Sequence, residues 1–421
     1  MRHLCLYFQV HQPYRLRHYR FFDIGHRDDY FDECYNAFIM NKVAEKCYRP
    51  ANRLLLELIR KSGGRFKICF SISGTALDQF EGYAPDVLNS FKEMAASGHV
   101  EFLAETSAHS LASLKSETEF RSQVTEHRDR IEKLFGKRPV VLRNTELIYS
   151  DFIGTMANEM GFLGMLTEGA DHILGWRSPN YVYAHPQNSL KLLLKNYKLS
   201  DDIAFRFSDP NWNQRPLTAD KFVHWLNAVP KDEPTVNLFM DYETFGEHQW
   251  ADSGIFEFLR WLPERVVNHS DYRFSTPSEI LATAAPASKL SIPYPISWAD
   301  EARDLSAWLS NDLQRDAFES LYRLKDLVED CNDDAYTRKW KYLQTSDHFY
   351  YMCTKYFADG DVHKYFNHYG SPYEAYINYM NVLTDFEMRL KELTRQSSVR
   401  SRDIEEAFFA NSIDPRLIEH S

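Results

Sequence analysis

The chain has 421 residues, which is long for a single compact core and predicts two domains. A hydrophobic share of 44% and a charged share of 26% are typical of a globular protein, and no apolar run approaches the roughly 18 residues of a membrane span. The net charge of −11 disfavours nucleic acid and anionic membrane surfaces as partners, because both are themselves negatively charged.

The first two-thirds of the sequence alternates short apolar runs with longer amphipathic stretches. Nearly continuous apolar runs are expected for parallel strands that are covered on both faces. The alternation predicts a parallel β/α barrel, in which chemistry takes place at the C-terminal ends of the strands. The predicted strands are residues 4–10, 67–73, 100–104, 139–143, 164–167, 203–207 and 235–241, and the predicted helices are residues 43–61, 85–97, 117–135, 151–160, 219–228 and 254–267.

The composition and periodicity of the sequence change after the last predicted barrel helix. Prolines punctuate a stretch of low charge at residues 276–298, which we interpret as the crossing between two domains. Beyond it, helical periodicity covers residues 301–331, 335–357 and 372–391, which predicts a helical bundle packed on the barrel.

The cysteines and the N-terminus indicate a cellular compartment. The six cysteines contain no C-x-x-C pair, so they form neither a disulfide framework nor a zinc motif. The apolar start of the chain runs into His11 and Gln12 without a cleavage site of small residues, which predicts a strand and not a signal peptide. We therefore expect a reduced, cytoplasmic protein.

Two of the predicted strands end in carboxylates. VVLRNTELIYS places Glu146 after an apolar strand, and VNLFMDYETFGEHQW places Asp241, Glu243 and Glu247 close together after another. Asp241 and Glu243 are two residues apart, so on an extended backbone they point the same way. A carboxylate that ends a buried strand is costly unless it is paired or functional. Two such strand ends on one barrel favour function over helix capping or pairing with a buried arginine.

A pair of carboxylates can carry out retaining glycoside hydrolysis. One ionised carboxylate attacks the anomeric carbon, and the second, with a raised pKa, protonates the leaving oxygen and then deprotonates water. Two carboxylates in divergent environments are the general arrangement for this chemistry. The candidate catalytic residues are therefore Glu146 after the first of these strands and the carboxylates Asp241, Glu243 and Glu247 after the second.

The sequence resembles glycoside hydrolase family 57 over nearly its whole length. HQP alone would be a weak signal, whereas RNTE and MDYETFGEH at these positions are specific. The run SWADEARDLSAW at residues 297–308 is similar to the amylase-type branch of the family. The segments that carry the resemblance, in the order of the family, are HQP at 11–13, GHVEFL at 98–103 with AHSLA at 108–112, RNTELIY at 143–149, MDYETFGEH at 240–248 and QTSD at 344–347.

The resemblance implies a (β/α)7 parallel barrel at residues 1–276, followed by a linker and C-terminal helical bundle domain at residues 277–421 that contributes to the active site. It implies a retaining, α-amylase-like hydrolase of α-glucans or maltooligosaccharides, with Glu146 as nucleophile and Asp241 as acid/base. Burial and the nearby Glu243 are expected to raise the pKa of Asp241, and Glu243 is alternatively expected to contact substrate. For His11, a hydrogen-bonded buried histidine is the alternative, and for the two tryptophans it is plain packing. The residues expected to bind substrate or orient its neighbours are His11, Glu101, His109, Glu243, Trp250, Trp298 and Asp347.

One motif departs from the amylase-type pattern. Ser107 and Ala108 stand before His109, where such relatives carry aromatic residues. A sugar-stacking position is therefore unfilled, which leaves the preferred chain length and linkage open.

A metal-dependent barrel enzyme, such as a polysaccharide deacetylase or a zinc mannosidase, is one alternative. Those enzymes resemble one another in a His-x-Asp near the first strand, and the corresponding stretch here is His11-Gln12-Pro13, in which proline cannot bind a metal. We therefore expect neither a metal nor a cofactor.

Two further alternatives concern the use of the same site. A non-catalytic glucan-binding homologue would lack a catalytic residue, and both carboxylates are present. A 4-α-glucanotransferase-type transglycosylase would share the glycosyl-enzyme intermediate and pass it to a glucan instead of water, and the sequence does not separate that activity from hydrolysis.

Overall fold

The structure is a computed structural model that describes residues 1–355 and 367–412, with side chains described as far as residue 396. Ten strands and a series of helices lie within these residues. The strands are β1 (Arg2–Val10), β2 (Ile68–Ile72), β3 (Val100–Phe102), β4 (Val141–Arg143), β5 (Gly164–Glu168), β6 (Val182–Ala184), β7 (Lys191–Lys195), β8 (Thr235–Asp241), β9 (Tyr272–Phe274) and β10 (Ser288–Lys289).

Seven of the strands form a closed barrel. The order β3-β2-β1-β8 makes one side, and β7-β5-β4 makes the other, with every one of these neighbours parallel. Ala104 joins the two sides beyond β3 through a parallel bridge to Leu142. At the second seam, the backbone N–H of Asn196 donates to the carbonyl of Asn237 over 2.9 Å. The predicted (β/α)7 architecture is therefore present, with β6, β9 and β10 outside the ring.

The barrel helices bury apolar faces against the outside of the strands, which are almost entirely buried on both sides. The helix α11 (Pro277–Thr283) differs, because its Ile280 and Leu281 pack with the apolar side chains of the barrel interior, such as Tyr7 and Phe239. The preceding helices are α1 (Glu33–Val43), α2 (Arg49–Ser62), α3 (Gly74–Tyr83), α4 (Pro85–Ala96), α5 (Glu117–Phe135), α6 (Asp151–Glu159), α7 (Asp171–Leu174), α8 (Tyr197–Ala204), α9 (Ala219–Ala228) and α10 (Ile255–His269).

One predicted strand is wrong. Residues 203–207 fall at the end of helix α8 and just beyond it, and the barrel strand in this part of the chain is β7. Asn196 starts the helix directly after β7, because its side chain accepts the backbone N–H of Leu199 over 3.1 Å. Ile203 and Ala204 then lie on the buried face of α8.

The chain after the barrel is helical within the described residues, although the predicted helices are broken into shorter ones. The interruption at Gln344 and Thr345 has a clear cause, since Thr345 forms a bridge with Ser110 of the barrel. The last two residues of the predicted helix at 335–357 lie outside the described residues. The helices are α12 (Ser306–Leu309), α13 (Asp312–Arg323), α14 (Lys325–Cys331), α15 (Asp334–Leu343), α16 (Ser346–Tyr350) and α17 (Pro372–Ser412).

The helical part and the barrel share one hydrophobic core. Trp308 and Phe349 belong to the same buried cluster as Tyr149 and Leu192 of the barrel. A dividing line at residue 276 stays a prediction. No helix among the described residues combines the length and apolar composition needed to cross a bilayer.

Candidate active site

The C-terminal ends of the barrel strands surround one cavity. Its lining includes His11 after β1, Glu146 after β4, Lys195 at the end of β7 and Asp241 at the end of β8. The segment after the barrel contributes further lining residues, namely Trp298, Ala299, Asp300, Trp308, Asp347 and Tyr350.

A strained turn presents Glu146. The residue has a left-handed backbone with φ 58° and ψ 24°, and Leu147 follows with φ 52°. Non-glycine residues adopt this region at a cost of about 1–3 kcal/mol, so the surrounding structure must enforce it. The buried side chain of Asn144 does so by donating to the carbonyl of Ile148 and to the hydroxyl of Ser113, each over 2.9 Å.

Both carboxylate oxygens of Glu146 have donors. The indole Nε1–H of Trp298 donates to Oε2 over 2.8 Å, and the hydroxyl of Ser346 donates to Oε1 over 2.9 Å. His109 Nε2 lies 3.4 Å from the same Oε1. Hydrogen bonds and a positive charge directed at a carboxylate favour its ionised form. Two of the three groups come from the segment after the barrel, so that segment completes the surroundings of Glu146.

His109 lies between two carboxylates. Its Nδ1 is 3.3 Å from Glu105 Oε2, on the side away from Glu146. Burial opposes protonation, but the hydrogen bonds and charges of Glu105 and Glu146 outweigh it and raise the pKa of His109 to about 9. The imidazole is therefore a cation at neutral pH.

His11 stacks on this cation. The two ring centroids are 3.8 Å apart and the planes differ by 16°. Burial and the charge of His109 lower the pKa of His11, so its ring is neutral, accepts from the Ser73 hydroxyl at Nδ1 over 2.8 Å and donates from Nε2 to Asp347 over 2.9 Å. Burial would raise the pKa of Asp347, but the neighbouring histidines hold it below its usual range.

Asp241 has a different environment. Burial, followed by the negative charge of Glu146, raises the pKa of Asp241 to about 6, against the opposing charges of Arg143, Lys195 and His109. Of the two causes expected for this shift, burial is the larger one found, whereas the carboxylate that adds to it is Glu146 and not Glu243. Burial and then Asp241 raise the pKa of Glu243 itself to about 8, so Glu243 is protonated at neutral pH and carries no charge.

A π-helical turn at Ala44–Tyr48 supports the β8 end. The Tyr48 hydroxyl donates to Glu243, and the thiol of Cys47 lies 3.2 Å from the carbonyl of Tyr242. Gly246 has φ 114°, and a Cβ there would lie 1.9 Å from the carbonyl of Lys46. Only glycine permits so close an approach of the loop to the turn.

Trp298 is held by charged neighbours. The guanidinium of Arg143 lies 4.7 Å from the centre of its ring, and the ammonium of Lys195 lies 5.6 Å away. Arg303 donates to the Trp298 carbonyl, and Lys195 donates to Asp201 over 2.9 Å. The ring was predicted to stack on a sugar, whereas these contacts aim its N–H at Glu146.

Two predicted site residues lie elsewhere. Trp250 is 63% exposed in the loop after β8 and is not part of the cavity lining. Glu101 lies in β3 and accepts the backbone N–H and the hydroxyl of Ser278 over 3.0 and 2.9 Å, which places it at the start of the interior helix α11 and not beside Glu146. Glu101 was misassigned because the sequence does not show which neighbours a carboxylate in a strand will contact.

Sequence reasoning missed three groups that shape the site. Glu105 lies four residues before His109 and four residues after Glu101, so it could have been found by testing every acid in that segment. Ser346 stands beside Asp347 in the QTSD segment, which was the available signal. Lys195 gave no signal, because a lysine at a strand end is ordinarily exposed, whereas here its side chain is buried beside Asp201.

The described residues, 1–355 and 367–412, contain no group of three or more His, Cys, Asp or Glu side chains that could hold a metal ion. Independence from metal stays a prediction.

A barrel whose strand ends bring together one hydrogen-bonded carboxylate and one buried acid with a raised pKa is the arrangement of a glycosidase. The family model described as glycosyl hydrolase family 57 matches residues 5–293. A protein of Methanocaldococcus jannaschii named "Putative alpha-amylase" is 43% identical over 406 residues, which cover 93% of this chain and 85% of that protein. The chain belongs to glycosyl hydrolase family 57 and is a glycosidase, as the motifs predicted.

Solved structures share the fold. The α-amylase AmyC from Thermotoga maritima has a TM-score of 0.64 at 14% identity, with 94% of this chain and 96% of that chain covered. The branching enzyme from Pyrococcus horikoshii has a TM-score of 0.63 at 16% identity, with 83% and 85% covered. The 4-α-glucanotransferase from Thermococcus litoralis has a TM-score of 0.60 at 15% identity, and the match spans 82% of this chain but 55% of that one. The prediction of a barrel followed by a helical region is thereby confirmed.

Proposed function

We propose that the protein is a retaining, amylase-like glycosidase that hydrolyses α-glucosidic linkages in α-glucans or maltooligosaccharides, with Glu146 as nucleophile and Asp241 as general acid/base. The observation that carries the proposal is the contrast between the two carboxyl groups. Glu146 has donors on both oxygens, whereas burial and the charge of Glu146 raise the pKa of Asp241 to about 6.

The proposed reaction has two steps. In the first, Asp241 gives its proton to the glycosidic oxygen, that bond breaks, and Glu146 forms a bond to the anomeric carbon. In the second, the Asp241 carboxylate takes a proton from water, the water oxygen attacks the same carbon, and the bond to Glu146 breaks. Each group returns to its starting charge, and two inversions give net retention.

Other lining residues support proposals for binding. His11, Glu243 and Asp347 line the cavity and offer polar atoms to sugar hydroxyls. His109 also lines the cavity, but its two ring nitrogens face Glu105 and Glu146. We therefore propose that its main role is to supply a positive charge to the site and not to bind a sugar. We assign Trp298 to orienting Glu146 through its indole N–H.

The preference for α-glucans is supported by the amylase name of the Methanocaldococcus jannaschii relative, which matches 93% of the chain. Hydrolysis is proposed in place of transfer because of the same likeness. A cytoplasmic location is a proposal as well, supported by six cysteines that are all free thiols in the structure.

The product time course from maltoheptaose, followed by chromatography and by proton NMR of the anomeric signals, tests the proposal. We expect shorter maltooligosaccharides whose newly formed reducing ends are first released in the α configuration. Products longer than seven sugars would show that glucan, not water, is the main acceptor. First-formed β ends would indicate inversion and refute the roles given to Glu146 and Asp241, and no product at all would support the glucan-binding alternative.

A further inference from the structure

Glu105 is a buried carboxylate that the proposed reaction does not use. It follows β3 and is fully inaccessible to solvent. Its oxygens accept from Gln9 Nε2 over 3.2 and 3.4 Å and face His109 Nδ1 at 3.3 Å. Its backbone N–H donates to Nδ1 of His127, over 3.2 Å, which fixes the start of the loop. Glu105 is not among the cavity-lining residues, so it reaches the reacting atoms only through another side chain.

His109 is that side chain. Its Nδ1 faces Glu105, its Nε2 lies 3.4 Å from Glu146 Oε1, and its side chain is 3% exposed. An imidazole in so dry a position is ordinarily neutral, because burial disfavours the charged form. A single carboxylate neighbour would have to overcome that cost alone, whereas two neighbours, one on each nitrogen, keep both N–H groups paired in the cation.

We propose that Glu105 is a positioning residue that keeps His109 protonated, so that the His109 cation holds Glu146 in its ionised form for attack on the anomeric carbon. The inference rests on the proposed role of Glu146. The raised pKa of His109 agrees with this geometry, and the pKa of Glu105 is lowered because His109, His127 and Arg143 outweigh the effect of burial. The charged and titratable groups that face His109 are Glu105, Glu146, His11, Asp347 and Asp241.

Removing the charge of Glu105 affects both proposed catalytic groups in the same direction. With a neutral residue at this position, burial dominates and His109 loses its proton. Glu146 then lacks a cation and binds a proton more readily. Asp241 also holds its proton to higher pH, because the His109 charge that opposes its protonation in the native protein is lost. A structural disturbance would lower activity without moving both ionisations together.

The test is the dependence of kcat/KM on pH with maltoheptaose. The acidic limb of this profile reports the ionisation of Glu146, and the basic limb reports that of Asp241. For Glu105→Gln we expect both limbs to move to higher pH by about 1–3 units, the usual effect of losing an opposite charge within a few ångströms. Glu105→Asp keeps the charge and should move them less. His109→Asn removes the cation and should reproduce the displacement, and asparagine accommodates the left-handed backbone of this residue, whose φ is 51°. In the double variant the displacements should not add, because both changes remove one interaction.

Glu101→Gln is the matched control. It removes a second buried carboxylate from the same segment, one that binds Ser278 at the start of α11. It is expected to lower the melting temperature and to leave the positions of both limbs in place. Limbs that move equally in Glu101→Gln and Glu105→Gln would overturn the proposal.

A readout without turnover separates this inference from the proposed function. In ¹⁵N-histidine NMR spectra, His109 of the native protein should show two protonated nitrogens at pH 7, and Glu105→Gln should convert it to the neutral form. If His109 stays protonated, or the limbs do not move in a folded variant, the inference fails even when Glu146→Gln is inactive. If Glu146→Gln remains active, the proposed function fails, and the spectra still decide whether Glu105 controls the charge of His109.

Discussion

The two ends of the site, at β4 and β8, give their carboxyl groups opposite electrostatic environments. At the β4 end, three donors reach Glu146, and two of them are supplied by the segment after the barrel. At the β8 end, Asp241 is buried, and among the described residues no comparable set of donors reaches its carboxyl group. One carboxyl group is therefore stabilised as an anion and the other as an acid, although both follow parallel strands of one barrel.

The difference shows that residue type alone does not determine a role in this site. Trp298 and Ser346 belong to the segment after the barrel, and without them Glu146 would be a carboxylate in the same dry cavity as Asp241. The segment after the barrel is thus required for the asymmetry between the two groups. Substitutions at either end of the site, and the pH dependence of the native protein, should reveal that asymmetry.

Glu146→Ala should have the largest effect. We expect loss of activity on the order of 10⁴–10⁶-fold, the range found when a residue that forms a covalent intermediate is removed. Added azide should occupy the vacated space and restore turnover to a glycosyl azide of β configuration, which NMR can identify. An unchanged rate with azide, together with substantial residual activity, would remove Glu146 from the role of nucleophile.

Asp241→Ala should distinguish the β8 end from the β4 end. On maltooligosaccharides we expect a loss of about 10²–10⁴-fold, because the leaving alcohol needs a proton. On an aryl α-glucoside with an activated leaving group the first step should be largely retained, and the covalent intermediate should accumulate and be visible by mass spectrometry. Equal losses on both substrates would mean that Asp241 is not the acid.

The pH dependence should measure the asymmetry in the native protein. Asp241 must be protonated for the first step, and its pKa is about 6, so activity is present below that value and is lost as the pH rises through it. Between pH 6 and pH 8, kcat/KM on maltoheptaose should fall by about 50-fold, because half of the Asp241 carboxyl groups are already ionised at pH 6 and a single essential proton then gives a tenfold loss per unit at higher pH. A profile that stays flat to pH 8 would contradict this assignment.

Trp298→Phe should weaken the hydrogen bonding of Glu146 at the β4 end while keeping an aromatic ring at this position. It removes the indole N–H that donates to Glu146 over 2.8 Å. A hydrogen bond to a charged group contributes about 1.5–3 kcal/mol, so kcat/KM should fall by about 10–150-fold. Trp340→Phe is the matched control, because that buried indole donates over 3.2 Å to the carbonyl of Leu321 within the helical part. It should reduce stability and leave kcat/KM within about twofold of the native value.

The sequence predicted local structure well where periodicity was unambiguous. Residues 117–135, 219–228 and 235–241 coincide with α5, α9 and β8. It failed at β7, since a short apolar run between lysines does not reveal that Lys195 will be buried by an aspartate from the following helix.

The same limit applies to the site. Glu146 and Asp241 stood at predicted strand ends, so their shared cavity could be anticipated. The charge that raises the pKa of Asp241 could not be anticipated, because it depends on which carboxylate is ionised once the loops are packed. Glu243 was the nearer candidate in sequence, but its own burial makes it neutral, and the charge that acts on Asp241 is that of Glu146.

Trp250→Ala should have the smallest effect on activity. It tests whether the substrate-binding surface extends beyond the cavity at the β8 end. The ring is 63% exposed, lies outside the cavity lining and has the ammonium of Lys46 5.9 Å from its centre. Substitutions at such positions change free energies by less than about 0.5 kcal/mol, so kcat/KM on maltoheptaose should stay within about twofold. The same kinetic constants should also be measured on a long glucan such as soluble starch and compared with those on maltoheptaose. If KM rises for starch alone, then Trp250 contacts distant sugars of a long chain and the binding surface extends beyond the cavity. If kcat falls on both substrates, the loop after β8 supports Asp241 more directly than its exposure indicates.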